Sequence, residues 1–157
     1  MKEKESFLDK EHTELLEKIQ ELSMREGDVG ESFKAVMKIF SFHLDREEET
    51  VIPLLEYLRR RALKEPEPGR ERISTASRGF QQEYGSMLSE HREIETLLEA
   101  AERSGSANMN EVSDLIHALR HHVEIEEEIL YPAALAAGAL FNLETGASRP
   151  GGKKTDH

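Results

Sequence analysis

An all-α fold is predicted: an antiparallel up-down-up-down four-helix bundle built from two repeated helical hairpins. Three observations carry that prediction. Apolar residues recur every three or four positions through most of the 157-residue chain, the period of a core-facing helix stripe. A single offset of 79 maps one half of the chain onto the other. Short turn signals separate the segments, and short connections make neighbouring helices antiparallel.

Ser6 is placed to cap the first helix, with Asp9 in its first turn. The stripe Leu8, His12, Leu15, Ile19, Leu22 carries that helix to about Met24. Gly27–Gly30 reads as a turn. Helix two is expected over about Glu31–Leu63, with Phe33, Val36, Phe40, His43, Glu47, Val51, Leu54 and Leu58 inward. Pro53 lies inside it and is expected to kink it. Pro66–Gly69 closes the first half.

Helix three is expected over about Glu71–Arg103, with Ile73, Ala76, Phe80, Tyr84, Met87, His91, Ile94, Leu98 and Ala101 inward. Gly79 and Gly85 predict irregular early turns. The next turn is Ser104–Asn108, where Asn108 and Glu111 resemble a capping box. Helix four is expected to run through Pro132 to about Ala139, with Val112, Leu115, Leu119, His122, Glu126, Ile129 and Ala133 on one face. Residues 1–144 then form the folded domain. Residues 145–157 lack an apolar pattern and are expected to be a disordered tail.

The offset of 79 pairs His122 with His43, Glu126–Glu128 with Glu47–Glu49, and Pro132 with Pro53. It also pairs Glu90-His91 with Glu11-His12. All four interior histidines are thereby matched. A repeat of this kind sets the fold, because one hairpin cannot bury its own face. Superposing the hairpins brings His12, His43, His91 and His122 to one level of the core.

Polar residues at core positions are costly to bury without compensation. His43/Glu47 and His122/Glu126 are i, i+4 pairs, about 40° apart around a helix and about 6 Å apart along it. His12 and His91 add one imidazole each. Four imidazoles and two carboxylates thus converge, enough for two metal ions with two histidines each and two bridging glutamates. Such a donor set favours non-haem iron, with zinc or manganese as alternatives. Hydrogen bonding alone, in a metal-free structural bundle, is the bland alternative. Glu48, Glu49, Glu127 and Glu128 read as solvated faces or outer acceptors to ligand histidines. His117 and His121 read as surface residues, and Tyr84 and Tyr131 as core or rim.

The pattern His12 … His43-x-x-x-Glu47 … His91 … His122-x-x-x-Glu126, with a proline six residues after each glutamate, resembles the haemerythrin-like, or HHE cation-binding, domain. The resemblance covers about residues 6–140. It implies a four-helix bundle holding two non-haem irons, bridged by the two carboxylates and an oxo or hydroxo group. Oxygen-carrying haemerythrins have a fifth histidine four residues after the third-helix histidine. Here that position is Glu95, an optional extra carboxylate, so reversible oxygen carriage is not the expectation. The four-histidine set is similar to that of bacterial members linked to iron handling, stress repair or redox sensing.

The implied ligands are oxygen, nitric oxide or peroxide. The alternative is a non-catalytic sensor or iron store acting through a protein partner. Enzyme, sensor and store all fit this ligand set, as do a monomer and a homodimer. The chain has no cysteine, which excludes disulfides, thiolate metal sites and a thiol nucleophile. The net charge of −11 argues against nucleic acid and anionic membranes as partners. The N-terminus has no signal-peptide pattern, and the cytoplasm is the expected location.

Overall fold

In the computed structural model, residues 7–105 and 109–146 are described. The chain is all-α: α1 (Phe7–Ser23), α2 (Asp28–Leu63), α3 (Arg70–Arg103), α4 (Met109–Ile125) and α5 (Tyr131–Thr145), the last two joined by a π-helical turn, Glu126–Leu130. The four expected helical runs are all present, and no strand occurs among the described residues. The expected caps Ser6 and Asn108 lie outside the described residues, as does the expected tail beyond Gly146.

The chain divides into two compact units. The first comprises residues up to Arg46 with Tyr84–Glu127, and the second comprises Glu47–Glu83 with residues from Glu128 onward. The first unit is a four-helix bundle in its own right. Leu15, Ile19 and Leu22 of α1, Phe33, Val36 and Phe40 of α2, Ile94 and Leu98 of α3, and Leu115 and Leu119 of α4 share one core. These are the residues that the periodicity places inward.

The second unit packs the end of α2, the start of α3, and α5. Its core includes Leu54, Tyr57, Ile73, Phe80, Tyr131, Ala134 and Phe141. The Tyr57 ring meets Phe141 edge-on at 5.6 Å, and Phe80 meets Tyr131 at 5.5 Å. Tyr57 donates to Glu144 Oε2 at 2.9 Å, and Arg61 also pairs with that carboxylate.

Four local expectations are corrected. First, α2 begins at Asp28, so Gly30 lies within its first turn rather than in a loop. A Cβ on Gly30 would stand 1.7 Å from the Arg25 carbonyl oxygen. Only glycine allows the chain leaving α1 to pass so close. Second, α3 is regular from Arg70 despite its glycines. A Cβ on Gly79 would meet Thr50 at 3.0 Å. Close packing on α2 there outweighs the helix-propensity cost.

Third, the helix after Pro132 ends at Thr145, beyond the expected Ala139, with Gly146 in the left-handed conformation as its C-cap. Fourth, Pro132 does not sit inside a continuous helix. A proline lacks an N–H and clashes with the carbonyl four residues back. The chain widens into a π turn ahead of it. Pro53, the repeat counterpart, lies inside the α-helical run of α2, with no π turn ahead of it.

A π turn adds one residue to the helix. The inward face therefore falls one position later than a regular helix predicts. Ile129, expected inward, is 60% exposed, while Tyr131 and Ala134 are fully buried.

Candidate metal centre

His12, His43, His91 and His122 are all buried, as are Glu47 and Glu126. His12, His43, His91, His122 and Glu126 belong to the first unit. His43 Nε2 and His91 Nε2 lie 3.0 Å apart. Glu126 Oε1 is 3.2 Å from His91 Nε2, 3.3 Å from His122 Nε2 and 3.8 Å from His43 Nε2. The His12 and His122 rings meet edge-on with centroids 5.0 Å apart. The unit boundary falls inside the unbroken helix α2, and Glu47 stands one turn beyond His43.

Two groups of potential ligands result. His12, Glu47, His122 and Glu126 form one; His43, Glu47, His91 and Glu126 form the other. In each group the ligand atoms lie within 4.8 Å of one another. Both groups share the two carboxylates.

The outer side of the rings explains how the inner side is presented. His43 Nδ1 donates to Glu90 Oε1 at 2.9 Å, His91 Nδ1 to Glu127 Oε1 at 3.1 Å, and His122 Nδ1 to Glu11 Oε1 at 2.7 Å. A carboxylate behind Nδ1 assigns the proton to that nitrogen and leaves the Nε2 lone pair facing inward. Lone pairs and carboxylate oxygens then crowd one buried space. Such a set is repulsive unless cations stand among its members. The donor chemistry therefore fits metal ions of the kind that imidazole and carboxylate bind. His12 follows the same logic: burial, and secondarily the nearby His122, push its pKa down to about 4. It is neutral at ordinary pH, the form that binds metal.

Tyr131 donates its phenol proton to Glu47 Oε1 at 2.6 Å. The π turn puts Tyr131 at this inward position. In the first repeat the corresponding inward residue, four after Glu47, is Val51, which has no polar group.

Of the residues singled out from the sequence, His117 and His121 are exposed, as expected. Glu95 is held by Arg120, whose Nε donates to it at 2.9 and 3.0 Å. Arg120 also pairs with Glu102, so Glu95 serves an ion-pair network. Glu127 takes the outer-acceptor role behind His91. Glu11 and Glu90 were not singled out from the sequence. Their signal was present, because each directly precedes a repeat-matched histidine.

The model of the hemerythrin HHE cation-binding domain matches residues 4–134. The chain belongs to this family. Comparison with curated proteins and with solved structures returned no match. The family assignment and the buried His/Glu groups agree on a metal-binding haemerythrin-like protein. Among the described residues, no helix is long and apolar enough to cross a membrane.

Proposed function

We propose that this haemerythrin-like protein holds two non-haem irons on His12, His43, Glu47, His91, His122 and Glu126, and binds or reacts with oxygen, nitric oxide or peroxide. The observation that carries this reading is the pair of ligand groups sharing Glu47 and Glu126. Each ion would take two histidines, with the glutamates common to both. Bound iron would supply open coordination positions and one-electron redox chemistry.

The chain's own residues do the rest. Glu11, Glu90 and Glu127 hold the Nδ1 protons and orient three rings. Tyr131 fixes one oxygen of Glu47 and keeps a phenolic proton beside the centre. Phe40 packs edge-on against His122, with centroids 6.1 Å apart, and helps exclude water. Iron handling, stress repair or redox sensing in the cytoplasm is the setting we propose.

Metal analysis of protein purified without chelator tests the reading, together with stopped-flow spectra on adding oxygen, nitric oxide or peroxide. Two irons per chain and a ligand-dependent near-ultraviolet change are expected. A metal-free protein that takes up no iron would overturn the reading.

A further inference from the structure

The two halves of the centre are not electrostatic copies of each other. The offset of 79 pairs Glu11 with Glu90 and His122 with His43, and both pairs make the same outer hydrogen bond. They differ in what else holds the carboxylate. Arg46 donates to Glu90 Oε1, the same oxygen that accepts from His43 Nδ1. Its guanidinium also lies 4.8 Å from the centre of the Phe42 ring. The counterpart of Arg46 in the second repeat is Ile125. Among the described residues, Glu11 is paired with His122 and with no arginine or lysine.

A carboxylate behind Nδ1 draws on that proton and makes Nε2 a stronger donor to a metal. An arginine on the same oxygen withdraws part of that effect. Its own positive charge, near the centre, also disfavours a cation there. Both effects have the same sign. Glu127 behind His91 works in the other direction, but its side chain is 39% exposed, close to the 32% of Glu11, against 15% for Glu90, so solvent screens it more than the Glu90–Arg46 pair.

We infer that Arg46 makes the two metal positions unequal: the position served by His43 and His91 binds its ion more weakly than the one served by His12 and His122. This rests on the two-metal reading above. It assigns to Arg46 a positioning and tuning role rather than ligation.

The test is titration of the metal-free full-length protein with cobalt(II), followed by its visible bands. Wild type should fill in two resolved steps, differing by about tenfold or more in affinity, the range seen for changes behind a ligand. Arg46→Gln should tighten the second step by about tenfold and leave the first within about twofold. Arg46→Lys, which keeps the charge, should retain two steps even if the glutamine variant folds poorly. Ile125→Arg should weaken the first step. Two ions entering wild type in one step, or Arg46→Gln shifting both steps alike, would overturn the inference and leave the two-metal reading standing. Failure of wild type to bind any cobalt would remove both.

Discussion

At the scale of single residues, the centre depends on which nitrogen of each imidazole faces inward. That choice is made behind the ring, by Glu11, Glu90 and Glu127. On the proposed reading, removing one of the four buried histidines should therefore differ sharply from removing a histidine close by in sequence. His122→Ala should lose at least one metal equivalent, whereas His121→Ala, on the exposed neighbouring residue, should retain full metal content by elemental analysis.

His12 gives a second prediction, for metal-free protein. Its pKa falls from the ordinary 6.5 to about 4 on folding. Between those values the unfolded chain binds the proton and the folded chain does not, so stability rises with pH. His12's contribution should be fully present above pH 6.5 and be lost as pH falls toward 4. The loss from this one group is about 3 kcal/mol. Urea denaturation of wild type and His12→Gln across that window checks it; the wild-type slope should flatten in the variant.

Individual helices were legible where periodicity alone decides them. Inward positions of α1, α2 and α3 mostly fall on the residues the stripe indicates, from Leu15 to Ala101; Leu58 and Tyr84, expected inward, are only partly buried, and Tyr57 takes the core position beside Leu58. Periodicity failed at the π turn, because a 3.6-residue repeat cannot register an inserted residue. The proline signal was visible, but Pro53 and Pro132 look alike in sequence and behave differently. Deleting the exposed Ile129 should convert the π turn into a regular turn while keeping Tyr131 and Ala134 inward. We expect a cost under about 2 kcal/mol. Deleting Leu135 should rotate Ala137 and Phe141 out of the core and cost considerably more. Thermal unfolding of the two deletions compares them directly. Gly30→Ala belongs to the same scale. The Arg25 carbonyl leaves no space for a methyl group, and a loss of about 2–4 kcal/mol is expected by chemical denaturation.

At the scale of the whole molecule, a chain with formal charge −11 buries two carboxylates, Glu47 and Glu126, with four imidazoles. Metal ions that bind only the folded form should stabilise it by mass action. At a free concentration of about 100 times Kd the gain is about 2.7 kcal/mol for each ion. Calorimetry with and without chelator should show a clear fall in Tm on metal removal. An unchanged Tm would mean that protons and hydrogen bonds already satisfy the core.

The sequence by itself determined the all-α class, the duplicated hairpin and the core positions of the six polar side chains His12, His43, Glu47, His91, His122 and Glu126. Helical period and a repeat offset are properties of order along the chain, and they need no knowledge of neighbours. The tertiary structure alone decided which carboxylate stands behind which ring, that Glu95 goes to Arg120, and that Tyr131 reaches Glu47. Those pairings join residues from 25 to 111 positions apart. They depend on how one helix is rotated and shifted against another, and a single added residue in a π turn is enough to reset that rotation.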